Sequence, residues 1–252
     1  MACVTVRGVT LGEGAAKVIV PLTGSTVDEL TTQAAAVVAA APDVVEWRVD
    51  FLDDALVPAS VVAAGREVVA ALAGLPLLVT FRTADEGGEK AITAQQYVDL
   101  YAAVVEAGVA DLLDVEILRD EQAVASIIGT AHAAAVPVVA SSHDFGGTPD
   151  ADELVARLRL MAERGADVLK VAVMPHGPQD VLTLLQATWT AAQELDQPLI
   201  TMSMAATGVV SRLAGEVFGS TATFGMVGRA SAPGQVEVGA LRQALALIHG
   251  PV

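Results

Sequence analysis

The feature that most constrains this chain is a recurrence. Short, mostly apolar segments return about every thirty residues, and helix-like segments fill the gaps. KVIVPL (17–22), VVEWRV (44–49), LLVTF (77–81), DLLDVE (111–116), PVVASS (137–142), DVLKVAV (167–173), LITMSM (199–204) and ATFGM (222–226) read as eight strands. Near-continuous apolar runs suit parallel strands covered on both faces. Between them, 57–73, 119–133, 178–195 and 235–248 carry helical apolar spacing, with a shorter helix expected at 208–217. Thr26 to Glu29 and Thr93 to Gln96 have capping-box spacing. Thr148 before Pro149 reads as a further helix start. The VTVRGVTLGE stretch near the N-terminus reads as a short β-hairpin. Eight β-then-α units with no linker predict one (β/α)8 barrel domain, an α/β fold, over 1–252. The rival, a doubly wound open sheet, normally carries a glycine-rich nucleotide fingerprint after its first strand. Here TGSTVDE follows instead.

Composition narrows the partners. The net charge of −16 disfavours nucleic acid and anionic membranes, and no block of Lys or Arg stands out. Cys3 is the only cysteine, so no disulfide or cysteine metal site forms within one chain. The N-terminus lacks a signal-peptide pattern and no apolar run approaches a membrane span. The expectation is a cytoplasmic protein without metal or other cofactor.

In a barrel, alternate strand residues point inward and the active site lies at the strands' C-terminal ends. Charged and titratable residues gather there. Glu46 and Arg48 share a face, as do Thr80 and Arg82, then Asp114 and Glu116. Ser141, Ser142 and His143 end the fifth strand, and Lys170 sits mid-strand in the sixth. An unpaired buried charge costs several kcal/mol, so the clustering is not a packing accident. Glu46 and Arg48 read either as an ion pair or as ligand contacts. Asp114 and Glu116 read as support for neighbours. His132, His176 and His249 read as ordinary loop histidines, and Trp47 and Trp189 as packing residues.

One of only three lysines in the chain, Lys170 is the sharpest anomaly. Burial in an apolar strand disfavours its ammonium form and makes a neutral amine available to attack a carbonyl. The resulting protonated imine is an electron sink that acidifies the adjacent carbon. A base must then take that proton, and His143 suits the task.

The segments EWRVD (46–50), TFRTADEGGE (80–89), SSHDFGGTP (141–149), KVAVMP (170–175), SRLAGEVFGS (211–220) and ASAPGQ (230–235) occur in this order. Together they resemble the type I 3-dehydroquinate dehydratases of the shikimate pathway, from about residue 17 to 247. The resemblance implies a metal-free barrel that dehydrates 3-dehydroquinate to 3-dehydroshikimate. It implies that Lys170 forms the imine, that His143 is the acid and base, and that Glu86 orients His143. By the same resemblance Arg212 clamps the substrate carboxylate, and Glu46, Arg48 and Arg82 contact substrate. Ser231 and Gln235 belong to a closing loop, one of Met202 and Met204, with Met204 preferred, lines the pocket, and the enzyme is a homodimer. One departure stands out, since Ala205 occupies a position where the family usually has glycine. A class I aldolase-type Schiff-base barrel is the alternative.

Overall fold

The computed structural model describes residues 2–228 and 230–250. All eight expected strands form, as β3 (Lys17–Leu22), β4 (Val44–Arg48), β5 (Leu77–Thr80), β6 (Leu112–Glu116), β7 (Val138–Asp144), β8 (Val168–Val173), β9 (Leu199–Ser203) and β10 (Ala222–Met226). They are parallel and hydrogen-bonded in chain order, and β10 returns to pair with β3. The curled sheet closes between β9 and β10 through a single bridge, Leu199 to Ser220. There the Thr221 N–H donates to the Leu199 carbonyl at 2.7 Å, and the Thr201 N–H donates to the Ser220 hydroxyl at 3.1 Å. A two-residue strand, β11 (Val236–Glu237), extends the sheet beside β10. This is the (β/α)8 barrel expected from the recurrence.

Among the described residues eight α-helices cover it: α1 (Val27–Ala39), α2 (Pro58–Ala71), α3 (Ala94–Glu106), α4 (Glu121–Ala133), α5 (Ala151–Glu163), α6 (Pro178–Glu194), α7 (Val209–Ala214) and α8 (Val238–His249). Outward strand residues such as Val20, Val45, Trp47, Val79, Val115 and Val171 pack against the helices' buried faces. A separate inner cluster includes Ile19, Val44, Leu78, Leu112, Val139, Val168 and Ile200. The strands are therefore apolar on both faces toward their N-terminal ends, which accounts for their continuous hydrophobic runs.

The expected hairpin forms as β1 (Val4–Val6) and β2 (Val9–Leu11), paired antiparallel. Its turn places both Arg7 and Gly8 at positive φ, the geometry that matches strand twist in two-residue hairpins. Val6 and Leu11 join the inner cluster, so the hairpin plugs the end of the barrel opposite the polar residues.

Three local expectations need correction. Thr148 does not cap α5, because Asp150 does so by accepting the Glu153 N–H at 2.9 Å. The Thr148 hydroxyl donates instead to the Met174 carbonyl, tying two loops together. Strand β7 runs two residues past its expected end because β8 continues the ladder as far as Val173. Trp189 is not a packing residue: it is 56% exposed on α6. Thr93 forms the reciprocal capping box, and at α1 Thr26 accepts the Glu29 N–H while the Glu29 carboxylate reaches back to Ser25.

Candidate active site

The polar strand ends open into a cleft with about 500 Å³ of free space, counting its mouth. Every residue expected at the site borders it: Glu46, Arg48, Arg82, Glu86, His143, Lys170, Met204, Arg212, Ser231 and Gln235. Strand register explains the convergence. Ser141 pairs with Lys170, and His143 with Ala172, so the β7 and β8 residues rise into the cleft side by side.

Lys170 is buried, and its surroundings are not apolar at the amino end. Its Nζ donates to Asp114 Oδ2 at 2.9 Å and lies 3.6 Å from Glu46 Oε1. The Phe224 ring centroid lies 4.6 Å away, a cation–π distance. Burial in a hydrocarbon setting is thus not what distinguishes this lysine. It is an ion-paired group whose charge the barrel accommodates through carboxylates.

His143 stands at the end of β7. The Glu86 Oε2 accepts the His143 backbone N–H at 3.0 Å and lies 2.8 Å from His143 Nδ1. Because that oxygen already accepts a fixed backbone donor and lies 3.4 Å from Arg82 Nη1, it acts as an acceptor. The proton then sits on Nδ1, leaving Nε2 free as a base. Burial, reinforced by the positive charges of Arg82 and Lys170, holds the ring's affinity for a second proton well below the usual histidine range. Burial also pushes the Glu86 carboxyl up to about 8, against the pull of Arg82. Glu86 reaches His143 from a 3-10 turn, Ala84–Glu86, that ends in Gly87 at φ +81. A side chain at Gly87 would strike Phe145, which packs directly over it.

Arg82 is the hub beneath these groups. Its Nη1 donates to Glu116 at 2.9 Å and to Ser141 at 3.0 Å, and its Nη2 donates to Asp114 at 2.6 Å. Burial opposes its charge, but Asp114, Glu116 and Glu86 outweigh that and hold the guanidinium firmly protonated. Asp114 is wholly buried. Burial alone would raise its affinity for protons, yet Arg82 and Lys170 keep it a carboxylate. Arg82 borders the cleft, but much of its hydrogen-bonding capacity goes to other protein groups.

Glu46 and Arg48 do not pair with each other. Glu46 accepts the Thr80 hydroxyl at 3.0 Å and faces Lys170. Arg48 forms a two-pronged pair with Asp50 at 2.8 and 2.7 Å. Asp50 was not foreseen as a site residue. It is fully buried and also accepts backbone N–H groups from Arg82 and Glu89, which join the β4 and β5 loops. It shares the parity of Glu46 and Arg48, and was passed over because the expected strand ended at Val49, where a 3-10 turn, Val49–Phe51, takes over. Phe145 and Phe224, which line the cleft, were missed as well.

Arg212 lies on α7 and is 1% exposed. Gly208, just before α7, lets the helix approach β9 closely: a Cβ there would sit 2.3 Å from the Ser203 and Met204 carbonyl oxygens. The Arg212 Nη2 donates to the Pro233 carbonyl at 3.2 Å, and its Nε has no hydrogen-bond partner among the described residues. Burial lowers its pKa to about 10, so it remains a cation at neutral pH. Across from it the loop at 230–235 is folded on itself, since Gln235 accepts the Ser231 N–H at 2.8 Å and donates to the Ser231 hydroxyl at 3.0 Å. Among the described residues, no cluster of three or more His, Cys, Asp or Glu is arranged to hold a metal ion.

Fold and site define a (β/α)8-barrel protein of lyase type, with an amine, an imidazole–carboxylate pair and a buried guanidinium around one cleft. The chain belongs to the type I 3-dehydroquinase family, whose model matches residues 18–251. It is 49% identical over 250 residues to a 3-dehydroquinate dehydratase of Salmonella typhimurium, covering 99% of both chains. It is 50% identical over 246 residues to one from Listeria welshimeri, covering 98% of both. A crystal structure of the type I 3-dehydroquinate dehydratase of Clostridium difficile superposes with a TM-score of 0.95 at 40% identity, covering 98% of each chain.

Proposed function

We propose that this chain dehydrates 3-dehydroquinate to 3-dehydroshikimate, a step of the shikimate pathway, through an imine on Lys170. The observation that carries the reading is the shared cleft, in which Lys170, the His143–Glu86 pair and Arg212 face one another. Arg212, with an unpartnered Nε, suits the carboxylate of the substrate. Glu46, Arg48, Ser231 and Gln235 border the remaining volume and suit its hydroxyls, with Arg82 supporting from below. Met204 supplies apolar wall.

The steps balance as follows. Lys170, once deprotonated, adds to the ketone carbon, and the carbonyl oxygen leaves as water to give a protonated imine. His143 Nε2 takes a proton from the adjacent carbon, and the electron pair moves toward the imine nitrogen. The resulting enamine expels the β-hydroxyl, which receives the proton from His143 and departs as a second water. One water then hydrolyses the imine, releases product and restores the lysine. The net change is loss of one water, with no redox partner. Glu86 orients the imidazole by accepting its Nδ1–H. The covalently modified comenic acid in the Clostridium difficile structure fits a site of this family with a nucleophile.

Two further expectations belong to the same reading. A cytoplasmic location suits the unpaired, exposed Cys3, and among the described residues no helix is long and apolar enough to cross a membrane. A homodimer suits the exposed groove of Leu182, Leu185, Gln186, Trp189, Val217 and Phe218, none of them charged, where two acidic copies meet without like charges in contact. Light scattering reads the mass directly.

Incubation with 3-dehydroquinate, reduction with borohydride and peptide mapping test the chemistry. A reduced adduct on Lys170, absent from Lys170→Ala along with turnover, is expected. An active Lys170→Ala variant overturns the nucleophile assignment. Carbon–carbon cleavage in place of water loss favours an aldolase-type barrel.

A further inference from the structure

The acids beneath Lys170 are not all spent on stability. Asp114 divides its two oxygens between different tasks. Oδ1 accepts from Arg82 Nη2 at 2.6 Å and from the Ser141 hydroxyl at 2.6 Å, which pins the carboxylate from β5 and β7. Among the described residues, Oδ2 accepts only from Lys170 Nζ, at 2.9 Å. The Asp114 main chain is fixed too, since its carbonyl accepts the buried Tyr101 hydroxyl at 2.5 Å. A fully buried carboxylate held by two donors on a main chain that is itself fixed is a rigid acceptor, and it restricts the lysine tethered to it.

We propose that Asp114 is a positioning residue for the reaction: it fixes one N–H of Lys170 so that the nitrogen faces the cleft, and it remains the counter-ion of the protonated imine. The inference rests on the imine reading above. A protonated imine nitrogen keeps one N–H, and the tether to Oδ2 supplies that hydrogen with an acceptor already in place. Positive charge sits on the same atom in the resting lysine ammonium and in the iminium, so the carboxylate is matched to the charged states that precede and follow the attack of the neutral amine. Glu46 is a weaker candidate for the task, because its Oε1 is 3.6 Å from Nζ and is engaged by Thr80. The other charged groups around the cleft are Arg48, Arg82, Glu86, His143 and Arg212. Of these, Arg82 is the one bonded to Asp114.

The test is the pH dependence of borohydride trapping with 3-dehydroquinate, read on wild type and on Asp114→Asn. With the counter-ion removed, the trapped fraction should fall off at a pH lower by about one unit or more. kcat should drop on the order of tenfold or more, since alignment at the nitrogen is lost. A purely structural role scales the amplitude without moving the pH limb. Ser141→Ala supplies a second measurement that leaves every charge in place. It loosens Asp114 Oδ1, so imine formation should slow severalfold with the pH limb unmoved. Wild-type trapping profile and kcat in Asp114→Asn overturn the proposal. If that variant does not fold, judged by circular dichroism, a wild-type rate of imine formation in Ser141→Ala overturns it. Absence of any Lys170 adduct in the wild-type protein is a different failure, that of the imine reading itself.

Discussion

Replacing Ala205 by glycine should make this protein more stable. Ala205 sits at φ +56, in the left-handed region, on the turn that follows β9. Its N–H donates to the Pro233 carbonyl at 3.2 Å and its carbonyl accepts the Gly208 N–H at 3.2 Å, so the turn is held there from both sides. An L-residue in that region costs roughly 1–2 kcal/mol. Glycine removes the cost but loses about 0.4–1 kcal/mol through the greater freedom of the unfolded chain. The balance is a gain of about 0.5–1 kcal/mol, or a Tm increase of about 1–3 °C for a chain of this size. Ala135 is the control. It has φ +57, is exposed, and ends α4 in a turn where the Val136 N–H closes on the Ala131 carbonyl at 2.9 Å. The same closure surrounds Gly165 after α5, where the Ala166 N–H reaches the Met161 carbonyl. Ala135→Gly should therefore gain as much, with turnover untouched. Calorimetry and urea unfolding at one protein concentration measure both. A lower Tm in both variants refutes the strain argument. A gain for Ala135→Gly beside a loss for Ala205→Gly shows that the Ala205 methyl matters more than its backbone angle.

Other predictions follow from the cleft. His143→Ala should still form the trappable imine but lose dehydration by about 10²–10⁴ in kcat, and failure to bind substrate at all would make the histidine structural. Arg212→Ala should raise KM for 3-dehydroquinate by roughly 10- to 100-fold, because it removes one charge-assisted contact, and an unchanged KM removes it from the clamp role. Glu86 gives a pH signature in stability. Its carboxyl is raised from 4.5 to about 8 on folding, so its contribution is fully present below about 4.5 and is lost as pH rises through about 8. Denaturation of wild type and Glu86→Gln from pH 5 to pH 9 should show wild type losing ground steadily, and parallel pH curves would contradict it.

Much of this site is written in strand parity. Alternation alone carries Glu46, Arg48, Arg82, Asp114, Ser141 and Lys170 toward the open end of the barrel, because the inward face of a parallel strand is fixed once its limits are known. What parity does not specify is which charge meets which. Arg48 turns to Asp50 rather than Glu46, and Arg82 is held by Asp114, Glu116 and Ser141. Those choices depend on side-chain torsions and on the 3-10 turns after β4 and β5. Arg212 is legible only through family resemblance, since an arginine on a short helical segment reads as surface by default. The exposure of Trp189 was hidden for the opposite reason: apolar spacing on α6 looks the same whether a face meets the barrel or something outside it.

The single-bridge closure between β9 and β10 divides the site by mechanical security. Seven neighbouring strand pairs share continuous ladders, and Lys170, His143 and Asp114 all stand within them. Arg212 and the loop at 230–235 hang from the two strands at the seam, where a serine hydroxyl does part of a backbone's work. Native-state hydrogen exchange should therefore find the amides beside the seam opening by local breathing, while those of β7 and β8 exchange only with global unfolding. On the proposed mechanism, the half of the cleft that would hold the substrate carboxylate should loosen and re-form without disturbing the half that carries the amine and imidazole.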